Sequence, residues 1–351
     1  MIPKIGIIGC GRVAEHYLKL AKEGLTPFLE YTAWFDTNPK KSYSFQTKFG
    51  GKSFETLDKF LSSDEFEAVL ILTPSGSHYR TALEVMKFKK HLLVEKPICL
   101  KFDELKNLKK KALESQVVLM TVLQNRFNDS VLKFKELQKL GTIGNVLSGG
   151  LRLRWGRDTN YYSDGWHGTW AMDGGVVAQQ AIHHIFAIDN LIGPIIRVSA
   201  KGLNRTHKIE AEDTCIGLFE LQNGAIITFE LTTSSKNGDF EASISLLTSN
   251  GIYEINGRAL NNLVFQQNLD TPMVQIVKRD VDSGYGYGHI SELQNFVGKL
   301  NENPNGWVDI NDGARALQLV HSIYASIERG MWIEVNDENS ISLRLGVGLE
   351  Q

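Results

Sequence analysis

The chain has 351 residues, 42% of them apolar and 22% charged, with a formal net charge of −2 at pH 7. That length is enough for two domains with cores of their own, and the proportions are ordinary for a globular protein. The charge balance excludes the basic excess that nucleic acid or a membrane surface would call for. Its three cysteines, Cys10, Cys99 and Cys215, are too few and too scattered for a disulfide framework or a zinc site. A reducing compartment and a cytoplasmic location are therefore expected. The N-terminus enters the first strand at once, so no signal peptide is expected, and no apolar run approaches the roughly 20 residues that span a bilayer.

The chain opens on Lys4–Ala14, KIGIIGCGRVA. Ile5, Ile7 and Ile8 read as a buried parallel strand, and Val13, Tyr17, Leu18, Leu20 and Ala21 as the helix after it. Between them lies Gly9-Cys10-Gly11-Arg12-Val13-Ala14, a Gly-x-Gly-x-x-Ala pattern in the strand–turn–helix setting that gives it meaning. Gly9 permits the tight turn, Gly11 lets the backbone approach a pyrophosphate, and Ala14 lets the helix pack close. The helix N-terminus offers free N–H groups to the phosphates. A second strand over 31–35 ends at Asp36, where a carboxylate can accept hydrogen bonds from a ribose. Asp36 would repel a 2′-phosphate, so NAD is favoured over NADP. Lys40 and Lys41 pull the other way, unless they are only the solvated start of a helix over 39–49.

Further along, residues 68–73 form a continuous apolar strand, as in a sheet covered on both faces. It runs into Thr73-Pro74-Ser75-Gly76-Ser77-His78, a polar loop at the strand end where ligands sit in open α/β sheets. His78 is either a ligand contact or a local loop hydrogen bond. Residues 91–94 form the next strand and end in Glu95-Lys96-Pro97. A helix over 103–115 and a strand over 117–123 complete a βα-alternating doubly wound domain at 1–123. After a helix over 128–140 the texture changes. Strands are predicted at 146–155, 195–203, 214–221, 225–234, 241–248 and 251–255, with one helix over 174–191. Asn223-Gly224 and Asn250-Gly251 are hairpin signals. The second domain, 124–351, thus reads as α+β on a largely antiparallel open sheet, with late helices over 291–300 and 312–330 and a final sheet edge.

Four stretches carry one resemblance: GCGRVA at 9–14, TPSGSH at 73–78, EKP at 95–97 and the helix carrying His183. With DGARALQLVHSIYASIERG at 312–330 they show that the chain resembles the glucose–fructose oxidoreductase / inositol dehydrogenase family along essentially its whole length. The resemblance implies a Rossmann domain, an open-sheet domain, NAD(P)-linked redox chemistry on sugars or cyclitols, and dimers or tetramers built through the sheet. YYSDGWHGTWAMDGGVVAQQAIHH at 161–184 is similar to a narrower group, the bacterial UDP-N-acetylglucosaminuronate 3-dehydrogenases of surface-polysaccharide (lipopolysaccharide) synthesis.

Oxidising a secondary alcohol needs a base, a group that steadies the developing alkoxide, and a carbinol hydrogen over the nicotinamide. Lys96 is the expected base or proton relay, because burial beside a cationic cofactor favours its neutral form; otherwise it is a surface lysine at a strand end. Pro97 is a candidate for a cis bond. The family's functional histidine falls on His183, suited to proton exchange near pH 7, with His184 structural. Gln179 stands where many relatives carry Asp, so a carboxylate–histidine relay is not expected there. An amide suits a hydroxyl or acetamido contact instead. Ala181 and Phe186 are further departures from the family pattern.

The expected cofactor contacts are Gly9, Gly11, Arg12, Val13 and Asp36, then Thr73, Pro74, Ser75 and His78, and finally Glu95, Lys96 and Gln124. Arg154 and Arg157 can grip a carboxylate or diphosphate bidentately. Tyr161, Tyr162, Trp166 and Trp170 offer flat faces to a sugar or uracil, with Thr169 between them; a packed structural loop is the other reading. The resemblance puts His289 near the sugar, although a helix-start role fits it too. No metal site is indicated. The expected activity is NAD-dependent oxidation of the C3 hydroxyl of a UDP-N-acetylhexosaminuronate. A dehydrogenase of a free sugar or inositol is the alternative within the class, and a non-catalytic dinucleotide-binding regulator the alternative outside it. The expected partners are a nucleotide sugar and further copies of the chain.

Overall fold

The computed structural model describes residues 2–236, 238–268, 270–281, 283–303, 305–336 and 338–348. The chain divides into two compact units, 1–123 with 289–314 and 124–288 with 315–351. The sequence reading placed 289–314 in the second domain. In the structure they return to the first.

In the first unit the described strands form a seven-stranded parallel sheet in the order Trp307–Asp309, Val118–Thr121, His91–Val94, Ala68–Ile71, Lys4–Ile8, Glu30–Phe35, Lys52–Ser53. Ala68–Ile71 and Val118–Thr121 are buried at every position, which is why they read as unbroken apolar runs. Helix Arg12–Lys22 lays Ala14, Tyr17, Leu18 and Leu20 inward. Helix Pro39–Phe49 starts on the Asn38 side chain, which accepts from Lys40 N, and stops at Gly50 with φ +76°. Lys40 and Lys41 are exposed at its start. The sequence reading missed the two short edge strands, Lys52–Ser53 and Trp307–Asp309.

The second unit carries a nine-stranded sheet in the order Val274–Val277, Asn262–Gln266, Gly251–Asn256, Glu241–Thr248, Val146–Arg154, Ile226–Thr232, Thr214–Leu221, Ile195–Leu203, Ile333–Glu334. Its neighbours run antiparallel except Val146–Arg154 and Ile226–Thr232, which are parallel. Asn262–Gln266 and Val274–Val277 were not predicted. Ile333–Glu334 supplies the expected terminal edge. One face of the sheet is buried through Leu151, Leu153, Ile227, Phe229, Ile244 and Leu246. On the other face Ile226, Ser148, Leu247 and Ile252 stand side by side across four strands, and the three apolar ones are exposed.

The single helix expected over 174–191 is two, Val176–Gln179 and Ile182–Ile192. Between them Ala181 N donates to Val176 O at 2.8 Å, five residues back. This is a locally widened turn of the π type.

Candidate active site

Each unit holds candidate residues of its own. In the first, the strand Lys4–Ile8 delivers the chain into Gly9, which sits at φ +98°; a Cβ there would lie 2.5 Å from Leu72 O. Glycine is therefore required at this position for conformation and for space. Gly11 is the extended N-cap of helix Arg12–Lys22, and its backbone start has no side-chain cap. A Cβ on Gly11 would meet nothing within 4 Å. The result is an open space over the first N–H groups of the helix, those of Arg12 and Val13 among them, which is what a pyrophosphate needs. Asp36 accepts from Cys10 N at 2.9 Å and from Asn38 N at 2.8 Å. It thereby ties the glycine turn to the end of the second strand, and each oxygen keeps a further lone pair for a ribose. These residues fit a dinucleotide.

The Thr73–His78 loop is less open than expected. Ser75 is buried, and so is His78. The His78 ring lies between two carbonyls, with Nδ1 2.7 Å from Pro97 O and Nε2 2.8 Å from Thr73 O, and its neutral form donates to one of them, as the tautomer decides. Burial holds its pKa below the ordinary histidine value, while the two carbonyl oxygens pull it back. Of the two sequence readings, this geometry is that of the local loop bond. His78 joins the loop carrying Pro74 and Ser75 to the one carrying Lys96. Lys96 is half-buried, and the Lys96–Pro97 bond is cis.

Glu95 is buried and turned inward. Its Oε2 accepts from Lys96 N at 3.0 Å, and its Oε1 accepts from Tyr17 OH at 3.4 Å and lies 3.7 Å from His289 Nε2. His289, expected beside a sugar, is buried in the first unit with its ring 4.9 Å from those of His16 and Tyr17. Sequence reasoning did not connect these two residues, because about 190 residues separate them.

The second unit holds the other candidates. Arg154 gives Nε and Nη2 to Glu230 at 2.8 and 2.6 Å, and Nη1 to Glu241 at 3.1 Å. Arg157 donates to Asp239 Oδ1 at 2.6 Å and lies over the rings of Trp155 and Tyr161. Both guanidinium groups are thus committed to carboxylates of the chain, and a ligand anion would have to compete with them. Gln180 Nε2 donates to Tyr161 OH at 3.0 Å, and Tyr162 OH pairs with Thr233 Oγ1 at 2.8 Å. Trp166 stacks on His167 at 3.6 Å, and His167 contacts Asp164 at 2.6 Å. Thr169 Oγ1 donates to Trp166 O at 2.8 Å within the loop, and Trp170 packs edge-on against Tyr324.

Gln179 is half-buried at the end of the short helix, and Gln180 is buried beside it. His183 is 8% exposed and His184 1%, with the His184 ring edge-on to Trp155. Gln124 is buried, and its Oε1 finds no hydrogen-bond partner among the described residues. The reading of the sequence missed Glu212. Its Oε1 accepts from Val177 N at 3.0 Å and Tyr324 OH at 3.1 Å, so it caps the short helix from another element. Burial pushes its carboxyl up to about 7. No pattern around Glu212 announces this, because the helix it caps lies more than 30 residues earlier.

Among the described residues no group of three or more His, Cys, Asp or Glu could hold a metal ion, and no helix is long and apolar enough to cross a membrane.

Residues 3–123 match the oxidoreductase family, NAD-binding Rossmann fold, and residues 131–254 match the GFO/IDH/MocA C-terminal domain. Among solved structures, the WlbA dehydrogenase of Bordetella pertussis, in complex with NADH and UDP-GlcNAcA, is similar at 27% identity and TM-score 0.82 over 96% of this chain and 100% of that one. Glucose-6-phosphate 3-dehydrogenase of Bacillus subtilis is 32% identical over 41% of this chain and 40% of its own length. Myo-inositol 2-dehydrogenase of Thermotoga maritima is 21% identical over 95% of this chain and 99% of its own.

Proposed function

We propose, from the premise that this chain belongs to the GFO/IDH/MocA oxidoreductase family, that it oxidises the C3 hydroxyl of a UDP-N-acetylhexosaminuronate with NAD. The observation that carries this reading is the likeness to a UDP-GlcNAcA-bound dehydrogenase along nearly the whole of both chains. The half-buried aromatic side chains of the loop over 161–170 support it, with flat faces for a uracil or a sugar. Bound NAD would accept the hydride from the carbinol carbon. Lys96 would take the hydroxyl proton as the alcohol becomes a ketone, and His183 would exchange a proton with the substrate. Gly9, Gly11 and Asp36 would hold the dinucleotide. The exposed row of Ile226, Leu247 and Ile252 is the surface on which copies of the chain would pair.

One observation favours a second reading, oxidation of a free sugar or inositol. Arg154 and Arg157 are already matched by Glu230, Glu241 and Asp239, and a neutral polyol needs no anion clamp.

Mass spectrometry separates the two. The protein is incubated with NAD and 2-oxoglutarate and either UDP-N-acetylglucosaminuronate, UDP-N-acetylglucosamine or myo-inositol. Loss of two hydrogens from the uronate alone supports the first reading. Loss from myo-inositol alone replaces it with the second.

A further inference from the structure

We propose that the buried couple Glu95–His289 is a positioning pair that fixes the main chain of Lys96 and sets the charge its side chain carries. This rests on the assignment of Lys96 above. Three elements meet at the couple: the end of strand His91–Val94, the first helix through Tyr17, and the start of helix Gly288–Glu302 through His289. One carboxylate oxygen of Glu95 holds the Lys96 N–H, and the other faces His289 Nε2 and receives the Tyr17 hydroxyl. Both members are more than nine-tenths buried. A charge so placed has little water to screen it, and the adjoining residue feels it strongly.

The other titratable or charged groups around the couple are His16, Tyr17 and Lys19 of the first helix, then Tyr31, His78 and Glu292. Burial, and then His289, lower the His16 pKa to about 3. Burial, and then Glu95, raise Tyr17 well above the usual phenol range. Both therefore stay neutral across the working range. Burial alone would raise Glu95, but hydrogen bonding and charge from His289, with the charge of Lys96, outweigh it and hold the carboxylate ionised. A negative Glu95 raises the proton affinity of Lys96, and His289, facing the same carboxylate, offsets part of that.

Such a couple is visible without a sugar. A charged Lys96 disfavours NAD⁺, whose ring is positive, and is nearly indifferent to NADH. Dissociation constants for both forms are measured by fluorescence from pH 6 to pH 10. For the unmodified protein NADH affinity should be flat, while NAD⁺ affinity rises with pH through one midpoint. Lys96→Met should abolish that midpoint; its survival there overturns the Lys96 assignment itself. Glu95→Gln should move the midpoint down by about one pH unit, which is about tenfold in NAD⁺ affinity between the two midpoints. His289→Asn should move it up, and Glu95→Asp should restore it. If Glu95→Gln lowers NAD⁺ and NADH affinity alike and leaves the midpoint in place, the couple is only packing and the proposal is overturned. Should Glu95→Gln not fold, an unmoved midpoint in His289→Asn overturns the proposal equally.

Discussion

Arg154 is clasped by Glu230 in a two-pronged contact, Nε to Oε1 at 2.8 Å and Nη2 to Oε2 at 2.6 Å. The two residues lie on neighbouring strands that run parallel inside an otherwise antiparallel sheet. The pair is partly exposed, so its worth to stability is modest, about 1 kcal/mol or less. Arg154→Ala should cost no more than that in urea unfolding and leave KM for the sugar substrate within about threefold. A tenfold or larger rise in KM with stability intact would show that the guanidinium leaves Glu230 to grip the substrate.

The two glycines of the first turn should separate cleanly. Gly9→Ala places a Cβ 2.5 Å from Leu72 O at φ +98° and should cost about 2 kcal/mol or more of stability, together with NADH binding. Gly11→Ala meets open space, so Tm should stay unchanged while NADH affinity falls at least about tenfold, because the methyl enters the room of the pyrophosphate. Thermal melts and NADH titration of both variants decide the matter. Equal damage from both would remove the cradle reading of Gly11.

Glu212 gives stability a pH slope of known sign. Its folded pKa, about 7, lies above the ordinary glutamate value of 4.5. Between these pH values the native state holds a proton that the unfolded chain has lost, so this contribution is full below about pH 4.5 and vanishes as pH passes 7. The scale is about 3 kcal/mol. Glu212→Gln should be nearly free of this slope. Urea denaturation of both proteins at pH 5, 6, 7 and 8 measures it, and parallel curves would remove Glu212 as the source.

Removing the His78 ring leaves Thr73 O and Pro97 O without it. A neutral ring has one N–H to give, so His78→Ala should lose about 1–3 kcal/mol for the one carbonyl it serves, if water does not reach that oxygen. It should also weaken NADH binding, since two loops lose their common tie. Retained stability with lost NADH affinity would instead make His78 a direct cofactor contact.

What could be read from the sequence was mostly local. The glycine turn, Asp36 and Glu95-Lys96-Pro97 sit in continuous strand–loop–helix runs, and each could be placed from its immediate neighbours. Arg154 and Arg157 are the opposite case. Their partners Glu230, Glu241 and Asp239 come from other strands or the loops beside them, and only the strand register brings the charges together. The helix over 174–191 looked continuous because residues 176–178 and 181–188 are all apolar or histidine, with only the two glutamines between. A turn that reaches five residues back has no compositional mark. His289 was assigned by the loop before it, yet its environment is fixed by the first helix and by Glu95, both far away along the chain.

The return of residues 289–314 to the first unit bears on how the chain is made. Strand Val118–Thr121 is flanked on one side by Trp307–Asp309, which leaves the ribosome about 190 residues later. At ordinary elongation speeds that is a wait of roughly ten to forty seconds. During it the nascent sheet shows an open apolar edge of the kind that recruits stray strands, and Glu95 waits for its histidine. The sheet of the nucleotide-binding unit starts to form early, but it is not closed until the strand Trp307–Asp309 has been made as well.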